Sequence, residues 1–357
     1  MAKQIKSHIE SENALFDSIV NLIEYSRSYV AKAVNSSMVY TYYGIGQHIV
    51  DYEQNGKERA EYGKGVLKRL SARLTDVYGC GWSVETLTNC RKLYNVYQIS
   101  STPHTNSDNT EIVHTVDEIH EFKLSWNHYQ ILMRIENPQE RNFYEIEAYK
   151  EQWSVRHLQR QVASSLYERL ALSRDKDEVM RLAKEGQMVE KPADIIKNPL
   201  VLEFVGLKPD FSYSESKLET AILDKLENFL LECGKGFLFE ARQKRFTFNE
   251  DNFYVDLVLY NRILQCYVLV DLKVDKLSHQ DLGQMQMYVN YFDRYKRLEF
   301  EKPTIGILLC KTKSDALVEL TLPKEANIYA QQYALYLPDK DELQRKLAEW
   351  LSEQENE

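Results

Sequence analysis

Residues 252–274 read NFYVDLVLYNRILQCYVLVDLKV. Two apolar runs, Asn252 to Tyr260 and Gln265 to Val274, flank a polar step at Asn261-Arg262. Runs of this composition predict consecutive strands of a buried sheet joined by a short turn. Each run nevertheless carries an aspartate, Asp256 and Asp271. Asp is depleted in strands, and a buried unpaired carboxylate would sooner take up a proton than stay charged. Period-two alternation puts Asp271 and Lys273 on one face with Leu272 on the other, and an antiparallel connection brings Asp256 alongside. Two such breaches beside a lysine suit a hard divalent cation. Mg2+ prefers carboxylate and water oxygens, and two aspartates leave positions for water and a phosphate. An exposed ion pair on an edge strand is the alternative that this pattern leaves open.

Outward from this stretch, Ser214 to Cys233 spaces Leu218, Ile222, Leu226 and Phe229 as one helix closed by Gly234. Phe237, Phe239 and Ala241 begin an alternating strand. Residues 1–200 read as helical instead, with Leu15, Ile19, Leu22 and Ile23, and then Val66, Leu67, Leu70 and Leu74, at helical spacing. Within them GWSVETL (81–87) is echoed by QWSVRHL (152–158), and Ser83 and Ser154 stand where helix N-caps belong. A helix over 64–78, a turn at Gly79-Cys80-Gly81 and a helix over 83–98 resemble a helix-turn-helix, although an ordinary helical hairpin explains the spacing as well. The polar stretch 101–121 reads as a flexible loop, its His104, His114 and His120 as solvated. Gly186, Pro192 and Pro199 mark a boundary.

The 357 residues suffice for two cores, and the net charge of −9 excludes a uniformly basic nucleic-acid coat. Residues 1–200 carry 25 basic and 27 acidic side chains, residues 201–357 carry 20 and 27. A local basic footprint is therefore sought in the first half. Between Arg59 and Tyr94 seven Lys and Arg face three acids. Lys68, Arg69, Arg73, Arg91 and Lys92 are candidate DNA contacts there, joined by Arg156 and Arg160, and Arg169 and Arg174 extend a basic last helix. A solvated helix face is the plain alternative. Five widely spaced cysteines with no C-x-x-C pair suggest reduced packing residues. With no apolar run long enough for a membrane span and no apolar leader, the chain reads as cytoplasmic with no membrane partner.

Asp256 followed by Asp271-Leu272-Lys273 resembles the D…(D/E)-x-K signature of the PD-(D/E)XK nuclease superfamily, and the surrounding text resembles its YhcG family. FLLECGKGF (229–237), RQKR (242–245), FYVDLVLYNR (253–262), GQMQMY (283–288) and TIGILLC (304–310) carry that likeness, with YYGIGQHI, YGKGVLKRLSARL, LSWNHYQIL and WSVRHLQRQVASSLYERL in the first half. The resemblance implies an N-terminal all-α, winged-helix-like domain that binds or selects DNA, followed by a restriction-endonuclease-like αβββαβ domain. It implies a DNA endonuclease in which Asp256 and Asp271 hold Mg2+, with Mn2+ able to substitute, and Lys273 assists the attacking water. Glu219 matches the helical glutamate, with Glu215 and Glu227 as rivals, and Gln284 a polar site residue. Gln243 is a weaker candidate for the rim. Gln284, Tyr288, Tyr291 and Tyr295 share a helical face that is expected to approach DNA. Two positions depart from the pattern: Asp271 where Glu is commoner, and Asn261 where His is expected. The domains are expected at 1–183 and 200–338, with a linker at 184–199 and an acidic helix or tail at 339–357. A homodimer and restriction or defence proteins are the further partners considered, and a non-catalytic DNA-binding or scaffolding protein is the rival function.

Overall fold

The computed structural model describes residues 2–54, 63–98, 120–174, 176–208, 213–323 and 326–353. Most of the loop expected at 101–121 lies outside these residues, His104 and His114 included. The chain divides into two compact units, residues 1–141 with 147–158, and residues 142–146 with 159–357.

The first unit begins with α1 (Ala2–Gln54), followed by α2 (Gly63–Tyr78), α3 (Val84–Tyr97) and α4 (Trp126–Leu132), with α5 (Pro138–Lys150) starting in it. No strand occurs among its described residues. Ser83 caps α3 as its position suggests, its hydroxyl accepting from the Thr86 N–H at 3.1 Å. Leu67 of α2 and Leu87 of α3 bury against Ile49 of α1. At Gly46, α1 meets α3 so closely that an added Cβ would stand 2.1 Å from the Cys90 carbonyl oxygen. His120 departs from the solvated reading, since its ring lies 4.6 Å from Tyr97 and 5.0 Å from Phe122.

The second unit runs through α6 (Val155–Ala163, from Gln159 on), α7 (Leu166–Ala171), α8 (Lys176–Glu185), β1 (Leu200–Val201), α9 (Glu215–Asp224) and α10 (Leu226–Cys233). Then come β2 (Phe237–Phe248), β3 (Asp251–Asn261), β4 (Cys266–Lys276), α11 (His279–Tyr295), β5 (Ile305–Thr312), α12 (Asp315–Thr321), β6 (Ile328–Ala334) and α13 (Lys340–Glu353). The α, three β, α, β succession expected from the sequence is present, extended by β6 and by β1 at the edge. The strand order is β1-β6-β5-β4-β3-β2. Strands β2, β3 and β4 pair antiparallel, while β4, β5, β6 and β1 pair parallel. Alternation along β4 sends Val268, Val270 and Leu272 to a core shared with Leu218, Ile222 and Phe229, and sends Leu269 to a core with Leu282, Met285 and Phe292. Each such side chain contributes roughly 1.5–3 kcal/mol through burial.

Two expectations change. The single helix at 214–233 is two, because the Lys225 N–H bonds back to the Ile222 carbonyl at 3.1 Å and the helical run is interrupted there. The basic last helix is interrupted by Ser165 in a left-handed conformation, φ 53°. The arginines after residue 158 are paired inside the second unit. Arg169 is fully buried, with Nη1 2.5 Å from Glu232 Oε1, and Arg160 bonds Glu203 at 3.1 Å and Glu232 at 3.2 Å. Arg174 donates to the carbonyls of Leu170 and Asp194. Among the described residues no helix is long and apolar enough to cross a membrane. Four of the cysteines are buried and Cys80 is exposed, all as free thiols.

Candidate active site

The β3–β4 ladder ends at Leu257↔Val270, and one further step of the same register sets Asp256 opposite Asp271. Here the strands stop exchanging backbone bonds, and the Leu272 N–H donates instead to Asp256 Oδ2 at 2.8 Å. That bond fixes the Asp256 carboxylate. The turn at the other end of this hairpin explains the unexpected Asn261: its side-chain oxygen accepts from the Ile263 and Leu264 N–H groups, and its amide donates to the Lys235 carbonyl.

Asp271 and Lys273 share a face, as alternation requires, and Lys273 Nζ lies 2.9 Å from Asp271 Oδ2. Glu215 at the start of α9 and Asp281 in the first turn of α11 each stand 3.8 Å from the same ammonium. Asp281 is held by a capping box, accepting from the Ser278 N–H and hydroxyl. Burial, and then the neighbouring Asp256, push the Asp271 carboxyl up from the ordinary aspartate range. Burial opposes charge on Lys273, but Asp271, Glu215 and Asp281 outweigh it and hold the ammonium above the usual lysine value.

Of the three glutamates considered, Glu215 and Glu219 on α9 both reach this cluster, Glu215 through Lys273 and Glu219 through Gln243. Glu219 is buried, whereas Glu227 is exposed on α10. The Gln243 amide donates to Glu219 Oε2 and to Asp256 Oδ1, both at 2.9 Å, and so joins α9 to β3. Gln243 does this from φ 43°, a left-handed conformation unusual for a non-glycine residue inside a strand. It is more central than the rim position its sequence suggests. Glu219 Oε1 is buried with no hydrogen bond, its nearest ion partner being Arg242 Nε at 3.5 Å.

Gln284 Nε2 bonds the Tyr288 hydroxyl. Tyr288 therefore departs from its expected place on a DNA-facing surface: it is 1% exposed and packed against Phe246. Tyr291 stacks on Phe246 at 4.0 Å, and Tyr295 is exposed. Of the basic residues, Lys68, Arg69 and Arg73 on α2, Lys92 on α3 and Arg156 on α6 are exposed. Arg91 is paired with Glu53 at 2.8 Å. Arg160, bound to Glu203 and Glu232, is a structural cation, which corrects its assignment as a DNA contact.

The donor set fits a hard divalent cation. The carboxylates Asp256, Asp271, Glu219, Glu215 and Asp281 exceed the nearby cations Lys273 and Arg242, burial and Asp256 push the Asp271 carboxyl up, and Glu219 Oε1 lacks a donor. Among the described residues no three acid, histidine or cysteine side chains form a cation cage by themselves. Mg2+ is commonly held by one or two carboxylates with water and phosphate oxygens completing its shell.

Residues 193–348 match a family described as the YhcG PDDEXK nuclease domain, and residues 18–169 match one described as the DUF1016 N-terminal domain. Over 350 residues the chain is 36% identical to a protein of Escherichia coli (strain K12) named "Putative nuclease YhcG", covering 93% of this chain and 92% of that one. Among solved structures, a repair endonuclease from Pyrococcus abyssi shows 18% identity and a TM-score of 0.24, covering 37% of this chain and 50% of that one. EndoMS in complex with double-stranded DNA shows 17% identity and a TM-score of 0.26 over 37% and 49%. The chain thus spans about half the length of each of these two structures.

Proposed function

The chain belongs to the YhcG family of PDDEXK nucleases, and on that footing we propose that it is a Mg2+-dependent DNA endonuclease. The observation that carries this reading is the carboxylate pair at the parting of β3 and β4: buried Asp271 with Lys273 2.9 Å away, and half-buried Asp256 oriented by the Leu272 N–H. Asp256 and Asp271 would hold the cation. When bound, Mg2+ lowers the pKa of a water molecule and offsets charge on the phosphate.

The chain's own groups do the rest. Lys273, kept charged by three carboxylates, offers N–H donors that hold the attacking water and stabilise charge developing on the phosphoryl oxygens. Glu219 and Gln243 fix Asp256 from the α9 side. Tyr288 and Gln284 close the apolar wall beside Asp271, raising the strength of each charge interaction within. Water oxygen attacks phosphorus, the bond from phosphorus to O3′ breaks, and a 5′-phosphate and a 3′-hydroxyl remain. The exposed cations on α2 and α3 suit contact with the DNA backbone, which neutralises charge without reading sequence.

Purified protein incubated with linear and supercoiled DNA in Mg2+ or Mn2+ tests the reading. Asp271→Asn and Lys273→Ala are each expected to lower the cleavage rate at least about 100-fold with circular dichroism unchanged. Calorimetric Mn2+ titration is expected to give one saturable heat that Asp271→Asn weakens. Undiminished cleavage by either variant would overturn the assignment of the site, whereas DNA binding without metal binding or cleavage by the native chain would favour the non-catalytic scaffold.

A further inference from the structure

Helix α1 runs for 53 residues, and its two parts carry apolar side chains on opposite sides. Towards its C-terminus Val39, Ile49 and Val50 are buried. At roughly 100° per residue these three share one side of the helix. Nearer the N-terminus Leu15, Ile19, Leu22, Ile23, Val30 and Val34 share a stripe, and each is at least 45% exposed. Counted by the same angle, the stripe lies on the side of α1 away from the buried three. The first unit's own core therefore cannot cover it by extending along the helix.

We infer that this stripe is where α1 meets α1 of a second copy of the chain. Area supports that occupant. The six side chains leave on the order of 600 Å2 uncovered, so two copies would hide about 1,200 Å2, the lower bound of a stable interface, before the exposed flanking rings of Phe16 and Tyr29 are counted. Spacing supports it as well. Phe16, Ile19, Ile23, Ser26, Val30 and Ala33 follow one another at alternating steps of three and four, the seam of a helix packed lengthwise on another helix. The small Ser26 and Ala33 permit close approach. Charge does not oppose it: Arg27, at the margin of the stripe, lies 3.1 Å from Glu24 on its own helix, while Asp17 and Lys32 lie on the opposite face. An isologous contact satisfies both stripes at once, since every chain brings the matching surface.

Sedimentation velocity and light scattering on the full chain test this. The native protein at about 10 µM is expected at twice the 42.0 kDa chain mass. Ile23→Glu with Val30→Glu places two charges on the seam and is expected to give the single-chain mass with unchanged helical circular dichroism, because both side chains are exposed. Asn21→Glu, on the opposite face, is expected to stay at the double mass. A native protein at the single mass, or a double variant that retains the double mass, overturns the inference. If the double variant loses helicity, Ile19→Gln in its place must weaken association at least about tenfold in Kd for the inference to stand.

Discussion

Gln243 holds two carboxylates at once, yet nothing about a glutamine between Arg242 and Lys244 distinguishes it from an ordinary polar residue on an exposed strand. Its role depends on φ 43°, which turns the side chain towards Glu219 and Asp256. A left-handed residue with a Cβ costs roughly 1–2 kcal/mol. Strain of that kind persists where surrounding bonds over-determine it, and it is found at functional sites. Gln243→Gly relieves the strain while removing the amide, so it is expected to leave the melting temperature within a few degrees of the native value and to lower the cleavage rate about 10- to 100-fold. Gln243→Leu keeps the strain and loses the donor, so both quantities should fall. Equal activity of the glycine variant would remove Gln243 from the site. Asp256, Asp271 and Lys273 were legible because acids and a lysine breach the strand pattern. Gln243 was only weakly so, since backbone dihedrals are not written in residue type. Tyr288 was misplaced for a related reason: helical spacing shows which residues share a face, not which face is buried.

Elements are held in place by a second charged group that the sequence disguises as basic surface. Glu232, at the end of α10, receives Arg169, Arg160 and the Val201 N–H, and Lys197 bonds its backbone carbonyl. The cluster ties α6, α7 and β1 to α10. Burial by itself would raise the Glu232 carboxyl, but Arg169, Lys197 and Arg160 overcome it and bring it down to about 2. Because the folded value lies below the unfolded one, near 4.3, this group's contribution is complete above the unfolded value and drains away as pH falls through about 2. Denaturant titrations at falling pH should show that loss, on the order of 3 kcal/mol. Glu232→Gln, which leaves Arg169 buried without its counter-charge, is expected to lose about 3–5 kcal/mol at neutral pH and to flatten that acid slope. An unchanged slope would exclude Glu232 as the titrating group. A simpler constraint fixes α11 over the sheet. A Cβ at Gly306 of β5 would stand 2.7 Å from Met285 Cγ and Sδ, so Gly306→Ala is expected to cost about 1–3 kcal/mol by thermal unfolding. Strands β3 and β4 were legible from their apolar runs, and α11 from the helical spacing of its residues. The roles of Arg160 and Arg169 were not, because an arginine reads the same in a sequence whether it meets solvent or a buried glutamate.

At the scale of the molecule, the net charge of −9 first excluded a basic coat and now has particular owners. Three of the acids, Asp271, Glu215 and Asp281, stand around Lys273, and the exposed cations proposed to meet DNA lie in the helical half, on α2 and α3. A single chain carries one such acidic site, and one hydrolytic site breaks one strand per visit. Two chains joined through α1 bring two. If both proposals hold, the native protein at concentrations where the dimer persists should convert supercoiled circles to linear DNA with little nicked intermediate. Diluted well below the dimer dissociation constant, it should release nicked circles first, linear product following only after a second encounter. Ile23→Glu with Val30→Glu should behave as the diluted protein does at every concentration while keeping its nicking rate per chain, because neither residue belongs to the metal site. Gel electrophoresis of timed samples resolves the three forms. Linear product formed by the double variant as directly as by the native chain would detach strand pairing from α1 while leaving the acidic site in place. Loss of nicking with Asp271→Asn in the same series would show that the cuts come from that site.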